Sequence, residues 1–401
     1  MIVFYRIVPL ALLLLACLSA CKKNISPGAR IDMDSTTTPT DTIITDNNFY
    51  SITQDDSTGT GSHILIALSS NTAGKLFVLN PHGSILMQKS GDPHVENFQQ
   101  WNIHGQTRYT YFQTEGDYLL DGIAGTELGY QEICDSALNI LNTVKLSSYG
   151  EIDNTVQDKT DTHEFILIGD NHYIQETYYE KTPANIPDSL HPAQDVKILA
   201  CIIQEVNNGQ VVFQWDGSDY PEFYGASVEN NNFADNSAAH DYMHLNSICI
   251  DSSDNNLIVS FRNLDEIVKI NRQTGQIMWR LGGNRSDFPL AADEVFLRQH
   301  YARLTDQGKT LIMVDNGLDS VRPYSRILEF QLNETAKTID GFSAFRVPDQ
   351  FIQFAGSVKK EGEHYFIGGG SANYALLINY KTSQSLFRLK LNYPSYRALA
   401  Y

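Results

Sequence analysis

Two histidines four residues apart, His240 and His244, lie in the stretch HDYMHLNS near the middle of the chain. An acidic residue, Asp241, directly follows the first of them. Histidines at this spacing bind zinc in metalloproteases, where both lie on one face of a continuous helix and a glutamate follows the first. The zinc interpretation therefore depends on whether this stretch forms a helix.

The residues after His244 favour a strand instead. SICID and LIVSF flank the turn residues SSDNN, and two apolar runs with such a turn between them are typical of a β-hairpin. We therefore expect no zinc at His240 and His244, although the sequence leaves open a structural ion such as calcium. Side chains two residues apart in a strand share a face, so His244 and Asn246 are predicted to point the same way.

This hairpin belongs to a repeat that extends along the chain. Six segments each join two apolar runs by a polar turn, at intervals of roughly 50 to 70 residues. Four-stranded units at this period predict an all-β fold, a six-bladed β-propeller with its functional residues around the central channel. The alternative is a two-sheet sandwich with long insertions. The first strands of the six hairpins are expected to begin near Leu76, Gln131, Ile198, Ile267, Ile327 and Ala375.

The N-terminal residues have the layout of an export signal. Arg6 precedes an apolar run that is too short to span a bilayer, which predicts a signal peptide over residues 1–20. Cys21 follows small residues, as in the lipobox of bacterial lipoproteins, where the thiol is acylated. We therefore expect an exported lipoprotein, periplasmic or at the cell surface, that is anchored to a membrane through Cys21. The alternative is an ordinary signal peptide with an incidental cysteine.

Composition divides the remaining chain into a linker and a folded body. Residues 21–62 are rich in Ser, Thr, Asp, Pro and Gly, which predicts a lipidated, flexible linker with a weak strand signal near residues 49–53. Residues 63–401 are the expected propeller. The net charge of −18 argues against nucleic acid as a partner, although a local cluster of His and Arg can still bind a small anion. The spacing of Cys134, Cys201 and Cys249 matches neither a zinc pattern nor a disulfide framework.

Several motifs in order carry a resemblance to a known family. The segment at 240–283 combines His-x-Asn-Ser at a strand start, an Arg at the end of the next strand, and INRQTGQIMWRLGG. FLRQHYARLTDQGKTLIMVDNG follows, and DTHEFILIGDNHYI and IIQEVNNGQVVFQWDGSDY precede it. In this order they resemble the bacterial arylsulfate sulfotransferase family, from about residue 63 onward. The resemblance implies a six-bladed propeller with a central active site.

The resemblance also implies roles for individual residues. In that family a histidine attacks the sulfur of an aryl sulfate, a sulfohistidine forms, and a phenol then takes the sulfuryl group. The nucleophile here would be His300, with His244 and Arg262 as catalytic partners and Asn246 and His163 as substrate-binding residues. The expected partners are a small phenolic sulfate donor and a phenol acceptor. Neither a nucleotide sulfate donor, a cofactor nor a metal is expected.

These residue types suit sulfuryl transfer on chemical grounds. Neutral imidazole is a nucleophile near neutral pH, and a guanidinium fork matches a group of anionic oxygens. Each residue also has a purely structural interpretation: His300 bonded to a neighbouring blade, Asn246 capping a turn, Arg262 in a salt bridge between blades. The alternative function is accordingly a propeller lipoprotein that only binds a ligand or glycan. Trp215 and Trp279 are expected to be blade core.

Overall fold

The computed structural model describes residues 44–56, 61–70, 72–91, 94–119, 127–348 and 351–401, with no side-chain description for residues 116–119. Within these ranges the chain forms six antiparallel sheets, arranged as the blades of a β-propeller. The predicted six-bladed, all-β fold is therefore confirmed, and the sandwich alternative is wrong. The predicted signal peptide, Cys21 and most of the predicted linker lie outside the described residues.

The two ends of the propeller meet in blade 1, where the C-terminal strand becomes the innermost strand. Ile64 pairs with Ala400, and Ile66 pairs with Ala398. This exchange closes the ring, because a strand that follows blade 6 in the chain then belongs to the sheet of blade 1. From the channel outward, blade 1 is β26 (Ala398–Ala400), β2 (Ile64–Ser69), β3 (Gly74–Leu79) and β4 (Ile85–Gly91).

Blades 2 and 3 follow in chain order, and each runs from an inner to an outer strand. Blade 2 consists of β5 (Val95–Ile103), β6 (Gln106–Leu119), β7 (Glu127–Cys134) and β8 (Ile140–Val144), and the two-residue strand β9 (Thr160–Asp161) pairs with β7. Blade 3 consists of β10 (Phe165–Gly169), β11 (His172–Lys181), β12 (Ile198–Asn207) and β13 (Gln210–Asp216).

Blades 4 to 6 complete the ring in the same order. Blade 4 consists of β14 (Leu245–Ile250), β15 (Leu257–Phe261), β16 (Glu266–Ile270) and β17 (Ile277–Gly282). Blade 5 consists of β18 (His300–Thr305), β19 (Thr310–Asp315), β20 (Arg326–Asn333) and β21 (Thr338–Arg346). Blade 6 consists of β22 (Ser357–Glu361), β23 (His364–Gly368), β24 (Tyr374–Asn379) and β25 (Gln384–Leu391).

An additional N-terminal strand shows that the folded body begins earlier than expected. Strand β1 (Tyr50–Asp55) pairs with β25 as a fifth, outermost strand of blade 6. Phe49 and Tyr50 are buried there against the ring of Phe77. Strand β1 therefore belongs to the propeller, although it precedes residue 63. Its signal in the sequence was weak, because the surrounding residues are polar and two adjacent aromatic residues supply its anchoring contacts.

The sequence pattern located the hairpins correctly. All six predicted hairpins are present, as the outer two strands β3–β4, β7–β8, β12–β13, β16–β17, β20–β21 and β24–β25. Alternating apolar residues of neighbouring blades pack into clusters between the sheets. Trp215 and Trp279 are buried in two of these clusters, which confirms their assignment to blade core.

Helices contribute little to the described part of the chain. The α-helix there, α1, covers Glu222–Ala226, and short 3-10 turns include Arg262–Leu264 and Gly370–Ala372. None of the described helices has the length and apolar character needed to cross a membrane. Cys134, Cys201 and Cys249 are free cysteines.

Candidate active site

A cavity of about 370 Å³ lies where the chain enters the innermost strands. His163, His244, Arg262 and His300 all line it, so the structure brings four of the predicted site residues together. The six blades each contribute a residue at or just before the innermost strand. Two of these residues lie at the start of a strand: Glu96 in β5 and His300 in β18. The other four lie just before a strand: His163 before β10, His244 before β14, Ala355 before β22 and Tyr396 before β26.

His300 is the first residue of β18 and is 3% exposed. Its Nδ1 lies 2.8 Å from the carbonyl oxygen of Gly356, so Nδ1–H donates and the lone pair of the neutral ring is at Nε2. Nε2 is buried and has no hydrogen-bond partner among the described residues. Burial, with the nearby charge of Arg397, lowers the pKa of His300 well below its usual value. The cavity therefore contains a neutral imidazole with an unengaged lone pair.

His163 and His244 form a pair of imidazoles beside His300, edge to face with their ring centroids 4.9 Å apart. Each has a buried carboxylate at Nδ1: Asp161 Oδ1 pairs with His163, and Asp241 Oδ2 lies 2.5 Å from Nδ1 of His244. Burial lowers the pKa of His244, and Asp241 only partly opposes this shift. Each carboxylate accepts from the Nδ1–H of its histidine and fixes the orientation of the ring. Both rings can thus donate from Nε2 toward the cavity when protonated.

His244 and Asn246 do not share a face, contrary to the expectation from strand alternation. His244 has a positive φ of 54°, and the pairing of β14 with β15 shifts register between Leu245 and Ser247. A bulge of this kind re-aims side chains and breaks the period of two. Asn246 is buried outside the cavity lining, and its side-chain amide donates to the carbonyl oxygen of Gln299 at 2.7 Å. It therefore contacts the residue before His300.

Arg262 lies at the cavity in the 3-10 turn after β15. Its backbone N–H donates to the carbonyl oxygen of His244, which ties the two residues together. Nη1 donates to Glu229 Oε2 at 3.1 Å and to the side-chain oxygen of Asn263 at 2.5 Å. Nη2 and Nε make no hydrogen bond with the described residues, so part of the guanidinium fork is available to an anion.

His240 does not belong to this site. It forms an isolated bridge with Ile198, and its Nε2 bonds the carbonyl oxygen of Asp235. The segment is not helical, so the two histidines do not form the paired motif of a zinc helix. This outcome confirms the interpretation of HDYMHLNS as a loop that enters a strand.

Among the described residues, one group of side chains has the chemistry to hold a metal ion. Ligand atoms of Asp161, His163 and Glu176 all lie within 4.8 Å of one another, and all three residues are buried. A proton on Glu176 can take the place of the metal ion, because burial raises the pKa of this carboxyl group well above its usual value and Asp161 adds to the shift. Protonated Glu176 next to Asp161 completes a chain of groups that ends at His163.

The residues beneath the histidines were not predicted from the sequence. Glu164, which directly follows His163, accepts from Arg397 at 3.0 Å and from Arg303 at 2.5 Å. Although burial alone would raise it, the pKa of Glu164 is lowered by these two arginines. Tyr396 donates to the carbonyl oxygens of His163 and Asn246, both at 3.2 Å. This buried network joins several blades and fixes the floor of the cavity.

The wall of the cavity was also missed, because its residues belong to no motif. Phe354, which is 53% exposed, and Pro394 supply an apolar surface at the rim. Glu96 and Glu127 supply an acidic surface. Adjacent cavity residues from different blades are far apart in the chain, so only a fold prediction could have grouped them.

The fold resembles several solved structures at low sequence identity. A protein of unknown function from Bacteroides caccae shows 11% identity over 84% of this chain and 98% of that chain, with a TM-score of 0.44. The periplasmic gluconolactonase PpgL from Pseudomonas aeruginosa shows 8% identity over 83% of this chain and 97% of that chain, with a TM-score of 0.45. No curated protein matches the chain significantly. Similarity at this level does not bear on function.

The sequence itself matches a family model. The model is described as arylsulfotransferase (ASST) and matches residues 105–401, which is more than half of the chain. The matched range includes all five of the histidine, arginine and asparagine residues predicted for the site. The chain therefore belongs to the arylsulfotransferase family, whose function is sulfuryl transfer with phenolic substrates.

Proposed function

We propose that the protein moves a sulfuryl group from a phenolic sulfate ester to a phenol in two steps, without a nucleotide sulfate donor. The observation that carries this proposal is the neutral, buried His300 with Nε2 unengaged at the cavity. Such a nitrogen is a nucleophile that needs no separate base, because it has no proton to lose.

In the first step, the Nε2 lone pair of His300 attacks the sulfur of the aryl sulfate. The new N–S bond forms as the S–O bond to the ring breaks, and the aryloxide leaves with the electron pair. His300 then carries both the sulfuryl group and the Nδ1 proton, which the carbonyl oxygen of Gly356 accepts in a hydrogen bond. His163 or His244, each backed by a carboxylate, gives a proton to the departing oxygen.

In the second step, an acceptor phenol enters as the first phenol leaves. Its oxygen attacks the sulfur, the N–S bond breaks, and the electron pair returns to Nε2 of His300. The phenolic proton passes to the carboxylate-backed imidazole that gave up its proton in the first step. The enzyme therefore returns to its starting protonation state, as a two-step exchange requires.

The charge of the transferring group is stabilised by donors already in position. The free part of the Arg262 fork faces the cavity as a preorganised donor to the sulfuryl oxygens, and His163 and His244 add Nε2–H donors when their rings are protonated. The aryl ring packs on the apolar rim, against Phe354 and Pro394. A sulfuryl group carries less negative charge than a phosphoryl group, so the transfer proceeds with protein donors and no metal.

Export and anchoring are part of the proposal. The sequence at residues 1–21 supports a lipoprotein that is tethered through Cys21 and works in the periplasm or at the cell surface. In that compartment the donor is a phenolic sulfate ester and the acceptor is a small phenol.

The test is to trap the sulfohistidine. We expect a phenyl sulfate donor, supplied without acceptor, to leave a sulfuryl group on the peptide that contains His300, detected by mass spectrometry at neutral to alkaline pH. His300→Asn should abolish the modification and turnover. His240→Asn, in a histidine outside the cavity, is the matched control and should retain both. Full turnover by His300→Asn would overturn the mechanism, and ligand binding without turnover by the unmodified protein would favour the binding-only alternative.

A further inference from the structure

One wall of the cavity carries acidic groups that the two-step transfer does not use. Glu96, in β5, and Glu127, the first residue of β7, both line the cavity next to Thr162 and His163. The cavity is identified as a ligand site independently of them, because the 3% exposed His300 has an unpartnered Nε2 at the same surface. The two glutamates therefore face the space that a substrate occupies.

The hydrogen bonds of these glutamates are incomplete. Glu96 Oε2 accepts from the hydroxyl of Thr162 at 2.9 Å. Glu127 Oε2 is buried without a hydrogen-bond partner among the described residues. An orphaned carboxylate oxygen costs free energy unless a ligand supplies the missing donor. What the wall lacks is a group that donates a hydrogen bond to Glu127 Oε2.

The charges around the wall favour a cation as that group. Asp161, whose charge acts on both glutamates, bonds His163, and Arg397, whose charge acts on Glu96, bonds Glu164. Burial raises the pKa of both Glu96 and Glu127. The charges of Glu127 and Asp161 raise the pKa of Glu96 further, and Asp161 does the same for Glu127. A cation placed between them would relieve that repulsion. A primary ammonium also offers three donors for the free oxygens.

We propose that Glu96 and Glu127 form an ammonium subsite, so that the preferred acceptors are phenols with a cationic amine on a short side chain. This inference rests on the proposed function for the position of the phenol. The hydroxyl lies at His300, the ring packs on the apolar rim, and the amine binds the acidic wall beside His163. The net charge of −18 attracts such a cation and repels an anionic acceptor of the same size.

Binding to the full-length protein without donor tests the subsite separately from catalysis. We expect calorimetry to show tyramine binding about tenfold or more tightly than the neutral para-ethylphenol, since charge-assisted hydrogen bonds are gained. The anionic para-hydroxyphenylpropionate should bind more weakly than either phenol. Equal binding of tyramine and para-ethylphenol, or no binding of tyramine, would overturn the subsite.

Near-isosteric variants then assign the preference to these residues. Glu127→Gln and Glu96→Gln should each reduce the ratio of tyramine to para-ethylphenol affinity several-fold, toward equal binding. The matched control is Glu132→Gln, because Glu132 is also buried in β7 but bonds Thr143 away from the cavity. An unchanged ratio in both cavity variants, with thermal unfolding like that of the unmodified protein, would refute the assignment.

The two proposals can fail separately. If tyramine is preferred in binding while no phenol is sulfated from a phenyl sulfate donor, the ammonium subsite stands and the sulfotransferase proposal fails. If para-ethylphenol and tyramine accept sulfate with equal kcat/KM and bind equally, the transfer proposal stands and the subsite is refuted.

Discussion

At the scale of single residues, protonation decides what each imidazole can do. His300 is held neutral by burial and by Arg397, and its Nδ1–H is committed to the carbonyl oxygen of Gly356. His163 and His244 instead have carboxylates at Nδ1, which fix the orientation of each ring. In the proposed mechanism, these different partners assign His300 the role of nucleophile and the other two histidines the role of proton carriers.

The lowered pKa of His300 predicts an unusual pH profile for the first step. A histidine with an ordinary pKa would lose nucleophilicity as the pH falls through about 6.5, because it becomes protonated. His300 should remain neutral at that pH, so the rate of its sulfurylation should not fall as the pH is lowered from 8 to below 6.5. Rapid-quench measurement of the phenol released in the first turnover checks this. A loss of rate with a midpoint near 6.5 as the pH falls would contradict the burial argument.

The carboxylate of Asp241 is predicted to be essential for turnover. Asp241→Asn keeps the shape of the side chain but removes the charge that stabilises a proton on His244. We expect kcat to fall about 100-fold or more, as when the charge behind a catalytic imidazole is removed elsewhere. Asp235→Asn, on the same connecting segment, removes a carboxylate that bonds Ser237 outside the cavity and should leave kcat unchanged. If the kcat values of the two variants lie within twofold of each other in steady-state assays, this role for Asp241 is contradicted.

At the scale of elements, the innermost strands position the site by where they begin. Because every blade starts at the same end of the channel, residues at six strand entrances meet in one cavity. The sequence therefore predicted the six hairpins and the convergence of His163, His244, Arg262 and His300 from repetition and motif order. The bulge that separates His244 from Asn246 was not predictable, since it depends on pairing with β15 and not on residue type.

The entrance to β22 illustrates how the backbone controls a side chain. Gly356 has φ +98°, and a Cβ there would lie 3.0 Å from the carbonyl oxygen of Gly368. Gly356→Ala should therefore cost about 1 to 3 kcal/mol of stability and displace the carbonyl group that bonds His300. We expect slower sulfurylation of His300 together with a lower Tm. Gly225→Ala, in α1 with open space around its Cβ, is the control and should lower neither quantity.

At the scale of the whole molecule, stability and activity are predicted to separate at two phenylalanines. Phe49 is 6% exposed beside β1 and packs on Phe77 and Tyr393, whereas Phe354 is 53% exposed at the cavity. Phe49→Ala should lower the free energy of unfolding by about 3 kcal/mol, because a buried aromatic contact is lost. Its kcat/KM at low temperature should remain near that of the unmodified protein.

Phe354→Ala should give the opposite result. Loss of the ring at the rim is expected to lower kcat/KM for aryl substrates about threefold to tenfold, with little change in unfolding. Urea titration and steady-state kinetics on both variants check the pair. Loss of activity in folded Phe49→Ala, or an unaltered kcat/KM in Phe354→Ala, would contradict the assignment of the two rings.

The strands that close the propeller ring were the hardest part of the fold to predict from the sequence. Strand β1 and strand β26 are supplied by opposite ends of the described chain, and neither is marked by the hairpin repeat. Their pairing is decided by the geometry of a closed ring, where the last sheet must meet the first. Local pattern could predict how many blades there are, but not which segment closes them.

That closure makes the order of synthesis matter for the site. Tyr396 and Arg397, which support the floor of the cavity, directly precede the closing strand and are made after all the strands of blades 2 to 6. A chain that stops short of them has sequence for five complete blades and for His300, yet no finished cavity in which that histidine is buried and neutral. On the proposed mechanism, we therefore expect such a truncated chain to show no reactivity toward sulfate esters.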